Sequence, residues 1–176
     1  MGRLTKDEIK KIAPDYKVAV ETGLWKGEQL LVISETFEET YGIELDPHYA
    51  KVAQAKAPKA KVFQGDTRNE LPKLAEKIKE PCVFFLDAHY CKLDPPIKKS
   101  EFPLWEELQT INARNLADIV IVDDVHTFGK KRDDLLFKEG DKEWEHVTPE
   151  NILEHFPTAK KSEIYKDSFI VWLKEY

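Results

Sequence analysis

The sequence is short of cysteine and has no long hydrophobic run, and each shortage excludes a class of protein. Its two cysteines, Cys82 and Cys91, are too few for a disulfide framework and do not have the spacing of a zinc site. No apolar stretch approaches membrane-spanning length, and the first eight residues, MGRLTKDE, lack the hydrophobic segment of a secretion signal. We therefore expect a reduced protein in the cytoplasm, with no membrane partner.

An excess of positive charge is also missing. Acidic residues number 33 against 27 basic ones, which gives a formal net charge of −6. A field of that sign repels a polyanion, so no nucleic-acid partner is expected. The length of 176 residues fits one domain, and we expect residues 1–176 to form a single unit.

Short apolar runs alternate with helical patterns along most of the chain. The capping box of Thr5 and Glu8 predicts the first helix, Asn69 is predicted to cap a later one, and Thr148 with Pro149 predicts the last. The predicted parallel strands are 17–21, 41–46, 61–65, Cys82–Leu86 and Ile119–Val122. This alternation is typical of an α/β fold with a parallel sheet.

Two apolar runs near the end of the chain, 162–165 and 169–173, flank a polar Lys166-Asp167 connection and predict an antiparallel hairpin. The fold class that follows is α/β: a doubly wound, mostly parallel seven-stranded sheet with helices on both faces and a C-terminal antiparallel hairpin. The charged, aromatic stretch 127–147 is too long for a median loop, and we interpret it as an insertion or lid within the domain.

Acidic residues stand at the ends of successive predicted strands. Burying an unpaired carboxylate costs several kcal/mol, so this placement indicates a shared polar cleft rather than chance. Ligands of doubly wound sheets bind outside the carboxyl ends of the strands, where these residues would meet. They are Glu21, Glu44, Asp66, Asp87, Asp123 and Asp124.

Glycines follow the first strand, at Gly23 and Gly27, and the next strand ends in Glu44. A strand that runs into a glycine turn and a helix, with an acid ending the second strand, is how open α/β sheets hold adenosine cofactors. Two alternatives stay open, a tight turn with no ligand and a nicotinamide site. The second is disfavoured because the Gly-x-Gly-x-x-Gly spacing is missing.

The pattern resembles class I S-adenosylmethionine-dependent methyltransferases. The resemblance implies that Glu21, Thr22 and Gly23 wrap the methionine part of the cofactor, that Glu44 grips the ribose and that Asp66 and Thr67 lie near the adenine. Trp25, between Gly23 and Gly27, holds a position at which the family's loop usually has glycine. It could pack beneath the loop, cover the cofactor or exclude it. The segments 86–90 and 103–108 also resemble a bacterial methyltransferase-like group.

Asp87, Asp123 and Asp124 resemble the metal ligands of catechol-type O-methyltransferases. By that resemblance they would hold Mg²⁺ or Mn²⁺, and the ion would orient a substrate hydroxyl. Asp87 and His89 are the candidate catalytic residues, with His89 as a general base or ligand and His126 as a weaker alternative. The competing interpretation is that these carboxylates cap helices or pair with lysines.

We therefore expect methyl transfer from S-adenosylmethionine to a small-molecule acceptor, with oxygen as the favoured acceptor atom. A catalytically inactive binding or assembly module is the alternative, which Trp25 supports, and a metal-dependent hydrolase is a third possibility. The exposed final strand or the aromatic insertion could also seed a homodimer.

Overall fold

A computed structural model of the protein describes residues 3–88, 102–130 and 142–175. Its strands are β1 (Val18–Thr22), β2 (Glu39–Glu44), β3 (Lys61–Gln64), β4 (Cys82–Leu86), β5 (Ile119–Val122), β6 (Lys161–Tyr165) and β7 (Ser168–Trp172). Its α-helices are α1 (Lys6–Ile12), α2 (Glu28–Ser34), α3 (Pro47–Lys56), α4 (Thr67–Lys77), α5 (Leu104–Arg114) and α6 (Pro149–Glu154). Within these ranges no helix is both long and apolar enough to cross a membrane.

The strands form one sheet in the order β3-β2-β1-β4-β5-β7-β6. Strands β1 to β5 pair in parallel, whereas β7 is antiparallel to both β5 and β6. The predicted fold class, a mostly parallel seven-stranded sheet closed by an antiparallel hairpin, is confirmed. The chain leaves β1 toward β2 and later returns to place β4 on the other side of β1, so the order reverses between these two strands.

Helices cover both faces of the sheet, because alternate strand residues point to opposite sides. On one face, Val20, Phe84 and Val120 pack with the buried sides of α4, α5 and α6. On the other face, Ala19 and Phe85 pack with residues of α1 and α2. A smaller cluster is formed by Ala53 of α3 and Ala57, the residue that follows this helix, which pack with Leu30 of α2.

The predicted helix starts are confirmed with one exception. The Thr5–Glu8 capping box precedes α1, and the Thr148 side chain accepts from Asn151 N at 3.2 Å to cap α6. The prediction that Asn69 caps α4 is wrong, because the cap is Asp66, three residues earlier, and the helix begins at Thr67. Its Oδ1 accepts from Arg68 N at 2.9 Å, and a carboxylate caps as well as an amide.

The two described ends of the 127–147 segment lie against the core. The Trp144 side chain is buried and its ring centroid is 4.7 Å from that of Phe102 and 6.2 Å from that of Phe128. Gly129 N donates to the carbonyls of Trp144 and Val147 at 3.0 Å and 2.9 Å, which joins the two ends. Whether the segment between them acts as an insertion or lid stays a prediction.

Candidate active site at the carboxyl end of the sheet

The turn after β1 passes directly over the end of β4, at the point where the strand order reverses. Gly23 has φ +74°, and a Cβ added to it would lie 2.6 Å from Ala88 Cα. Only glycine tolerates both this backbone conformation and this approach. Open α/β sheets bind ligands in the crevice at such a reversal, so the position of Gly23 marks the candidate site.

Two further residues of the turn also have left-handed backbone conformations. Trp25 has φ +45° and Gly27 has φ +68°. A Cβ on Gly27 would lie 2.6 Å from Ala53 Cα, so this glycine lets α2 pack closely on α3. Trp25 therefore occupies a glycine-type conformation with the bulkiest side chain available, in a region where L-residues are disfavoured by roughly 1–2 kcal/mol.

The carboxylate of Glu44, at the end of β2, holds this turn in place. Its Oε2 accepts from the backbone N–H groups of Leu24 at 2.8 Å and Trp25 at 2.9 Å, and its Oε1 accepts from Asp46 N at 2.9 Å. Burial raises the pKa of Glu44, and the three amide donors act in the opposite direction. A carboxylate has about four acceptor positions, so one stays available for a hydroxyl.

Three further acids, Glu21, Asp87 and Asp123, line a cleft beside the turn. Glu21 is 2% exposed, and its Oε2 has no hydrogen-bond partner among the described residues. Burial, reinforced by the charges of Asp87 and Asp123, raises the pKa of Glu21 well above its ordinary value. Burial and the neighbouring Asp87 likewise raise the pKa of Asp123 to about 6, and Ser168 Oγ donates to its Oδ1 at 3.1 Å.

The rim of the same cleft carries positive charge. Arg3 and Lys26 line it together with Trp25. Arg3 forms an ion pair with Glu28, and Lys26 Nζ lies 4.4 Å from the centroid of the Trp25 ring. The cleft thus combines buried acids with two cationic side chains, of which Arg3 is paired with Glu28, and this mixture suits a ligand that carries both signs of charge.

Thr22 and Thr67 lie elsewhere, beside a buried acid of α5 that sequence analysis missed. This acid, Glu107, is 2% exposed, and burial raises its pKa to about 7 although the nearby hydroxyls of Thr67 and Thr22 act to lower it. Among the described residues, Glu107 Oε1 and both threonine Oγ1 atoms are buried without a hydrogen-bond partner. Glu107 lines a second, smaller pocket that Asp87 also borders.

A sequence signal for Glu107 exists. It stands three residues after Leu104 and four before Ile111, which places it on the apolar face of α5. A charged residue on the apolar face of a helix is unusual, so this position alone is a reason to propose a functional site there.

The remaining predicted residues have other partners or lie outside the described ranges. Asp66 binds Arg68, whose Nη2 is 2.6 Å from its Oδ2. Asp124 lines the acidic cleft with Asp87 and Asp123, yet it also groups with His126, the weaker alternative to His89, and with Asp167, which was not predicted. His89 lies outside the described residues.

That second group consists of Asp124, His126 and Asp167, with potential ligand atoms all within 4.8 Å of one another. His126 Nδ1 is 2.8 Å from Asp167 Oδ2 and 3.8 Å from Asp124 Oδ1. The hydrogen bond with Asp167 accounts for this arrangement, and His126 is exposed. The metal prediction on Asp87, Asp123 and Asp124 stays untested.

The fold is that of class I S-adenosylmethionine-dependent methyltransferases. A Staphylococcus aureus protein assigned as a caffeoyl-CoA O-methyltransferase aligns with a TM-score of 0.63 and 14% identity, over 97% of this chain and 83% of that one. A TehB-like S-adenosylmethionine-dependent methyltransferase from Corynebacterium glutamicum gives 0.55 and 16% identity, over 95% and 84%. Human methyltransferase-like protein 13 in complex with SAH gives 0.53 and 17%, over 97% and 75%.

These identities establish the fold alone. Several other structural neighbours are longer proteins, of which this chain covers less than half. No protein-family model matches the sequence, and the comparison with curated proteins gives no match.

Proposed function

We propose that this protein binds S-adenosylmethionine in the cleft at the β1–β4 reversal and transfers its methyl group to a small-molecule acceptor. The observation that carries the proposal is the Gly23–Gly27 turn, which Glu44 holds over a cleft whose floor contains the unpartnered carboxyl of Glu21. A structural neighbour with the same fold is a methyltransferase-like protein in complex with SAH, the demethylated product of the methyl donor.

The residues fit each part of the donor. Glu21 provides an unsatisfied acceptor at which an ammonium group would bind. Glu44 keeps one acceptor position for a ribose hydroxyl after it has bound three amides. Leu45, the next residue, is 37% exposed and offers an apolar surface beside that hydroxyl. When bound, the donor supplies a methyl group on a positively charged sulfur.

Asp87 and Asp123 are suited to handle the acceptor's proton. Burial and the charge of Asp87 raise the pKa of Asp123 to about 6, so its ionised form takes up a proton more readily than an ordinary aspartate does. One of these carboxylates would take the proton of the acceptor O–H. The bound donor would supply the methyl group to the acceptor oxygen, its sulfur–carbon bond would break, and it would leave as the neutral demethylated thioether. Asp87 would position the acceptor from the end of β4.

A divalent cation is a further part of the proposal. Carboxylate oxygens of Asp87, Asp123 and Asp124 are the ligand type that Mg²⁺ and Mn²⁺ prefer, and these three side chains line one cleft. The mutual repulsion that raises the pKa of Asp123 would be relieved by such an ion. Its contribution would be to lower the pKa of an acceptor hydroxyl.

Calorimetric titration tests the donor site directly. We expect S-adenosylmethionine and S-adenosylhomocysteine both to bind, and Glu21→Gln to weaken both. Absence of heat with either ligand at high micromolar concentration would contradict the proposal.

Titration with Mn²⁺ tests the proposed metal ligands. The variant is Asp87→Asn/Asp123→Asn, and Asp167→Asn is the matched control. Unchanged Mn²⁺ affinity in the double variant would refute the proposed ligands.

A catalytically inactive binding module is the second candidate, and Trp25 is the observation that favours it. A bulky side chain at a glycine-type position of the cofactor turn lines the cleft itself. Methyl-labelled donor incubated with hydroxylated small molecules distinguishes the two functions. Tight donor binding without transfer to any acceptor in the panel would favour the inactive module.

A further inference from the structure

Two residues that line the cleft each have a buried polar atom without a partner among the described residues, and the two atoms are of opposite character. One is the carboxyl oxygen Oε2 of Glu21, and the other is the indole N–H of Trp25, a donor. Both residues line the same cleft. A buried donor without an acceptor costs about 1–3 kcal/mol, so the Trp25 N–H calls for an acceptor that this part of the chain does not supply.

The charges around the indole indicate what that acceptor is. Lys26 Nζ lies over the Trp25 ring at 4.4 Å from its centroid, and Arg3 lines the cleft together with Glu28, its ion-pair partner. The charge of Arg3 also acts to lower the pKa of Glu21. Positive charge beside an unsatisfied N–H favours an anionic acceptor, because hydrogen bonds to ionised groups are roughly twice as strong as neutral ones. The buried acids, which include Glu21, favour a cation in the same cleft.

A ligand that carries an anion and a cation in one cleft matches the α-amino acid end of the methyl donor, which has one carboxylate and one ammonium group. The nucleoside end cannot supply either charge. The backbone of Trp25 is held in the turn, because its amide donates to Glu44 Oε2 at 2.9 Å. The residue that departs from the glycine pattern would thus contribute a contact that glycine cannot make.

We propose that Trp25 is a positioning residue for the methyl donor, whose carboxylate accepts a hydrogen bond from the Trp25 indole N–H beside the positive charges of Arg3 and Lys26. This inference rests on the proposed function, since it assigns a role within the same donor site. It predicts that the protein distinguishes S-adenosylmethionine from its decarboxylated form, and that Trp25 is responsible for much of the distinction.

The test is a cycle of two ligands and two proteins, measured by calorimetry. The ligands are S-adenosylmethionine and decarboxylated S-adenosylmethionine, which keeps the ammonium and sulfonium groups and lacks only the carboxylate. The variant is Trp25→Phe, which keeps an aromatic ring at the same φ and removes the N–H. We expect the preference for the carboxylated ligand to fall at least about tenfold in the variant, as loss of a charge-assisted hydrogen bond requires.

Glu21→Gln is the matched control, because it weakens the ammonium contact that both ligands share. It should reduce both affinities and leave their ratio unchanged. A Trp25→Phe protein with the wild-type ratio would overturn the inference, and so would one that binds both ligands more tightly, since Trp25 would then be an obstruction. Wild-type protein that binds neither ligand would instead refute the proposed function itself.

A second measurement uses only the wild-type protein, so it does not depend on whether a variant folds. In wild-type protein labelled with ¹⁵N, the indole N–H resonance of Trp25, one of four tryptophans, should shift further with S-adenosylmethionine than with the decarboxylated form. Equal shifts with both ligands, or no shift while binding is measurable, would overturn the inference.

Discussion

Replacement of Glu107 by glutamine should make the protein more stable at neutral pH than the wild type. Glu107 is 2% exposed on the apolar face of α5, with one carboxyl oxygen unpartnered among the described residues. Burial raises its pKa from an ordinary value of 4.5 to about 7. Glutamine matches the shape of the protonated carboxyl and does not ionise.

The sign follows from proton binding in the two states. Between about pH 4.5 and pH 7, the unfolded chain has released the Glu107 proton while the folded protein keeps it, so the free energy of unfolding falls as pH rises. Below that window the group is protonated in both states and carries no penalty. A shift of about 2.5 pH units corresponds to about 3 kcal/mol, which is fully present above pH 7.

Urea unfolding of both proteins at a series of pH values from 4.5 to 8 measures this quantity. The stability difference between Glu107→Gln and the wild type should increase by about 3 kcal/mol across the range in favour of the variant. Because both proteins contain the other acids whose pKa is raised, such as Asp123, the contribution of those acids to the pH dependence cancels in the difference. The exposed Glu76 of α4 provides the control, and Glu76→Gln should leave the difference flat. A flat difference for Glu107→Gln would refute the reasoning.

Three other changes test the site and its support. Gly23→Ala places a Cβ against backbone atoms at φ +74° and should destabilise the protein by about 2–5 kcal/mol. Gly129→Ala, at φ +67° with nothing within 4 Å of the added Cβ, should cost only about 1–2 kcal/mol. Equal losses in urea unfolding would contradict this prediction. Glu44→Gln should lower donor affinity in calorimetry by about tenfold, because one side-chain oxygen cannot serve all of its donors; unchanged affinity would remove Glu44 from the site. Arg114→Met should cost about 3–5 kcal/mol, since the buried Asp118, whose Oδ2 is 2.8 Å from Arg114 Nε, would lose its charged partner and keep only the Cys82 amide. A loss below about 1 kcal/mol on urea unfolding would show that this amide satisfies Asp118.

The order of strands and helices could be predicted because each depends on local pattern. Apolar runs such as Cys82–Leu86 and Ile119–Val122 coincide with β4 and β5 over their whole length. Capping residues with a single local partner, such as Thr5 with Glu8, were equally readable. The Asn69 error arose where two capping residues stand close together, and the contact that selects Asp66 is visible only in the folded helix.

The gathering of Glu21, Asp87 and Asp123 at one edge also follows from sequence, since parallel strands end together. Their individual roles do not follow, because neighbours distant in sequence set them. The fold decided that Glu44 binds the turn after β1, that Thr22 faces Glu107 rather than the acidic cleft, and that Asp124 lies near Asp167. The alternation of side chains along a strand is local, so sequence shows that Thr22 and Glu21 point to opposite faces. The residue that Thr22 meets, Glu107, is 85 positions away in the chain, and only tertiary packing brings the two side chains together.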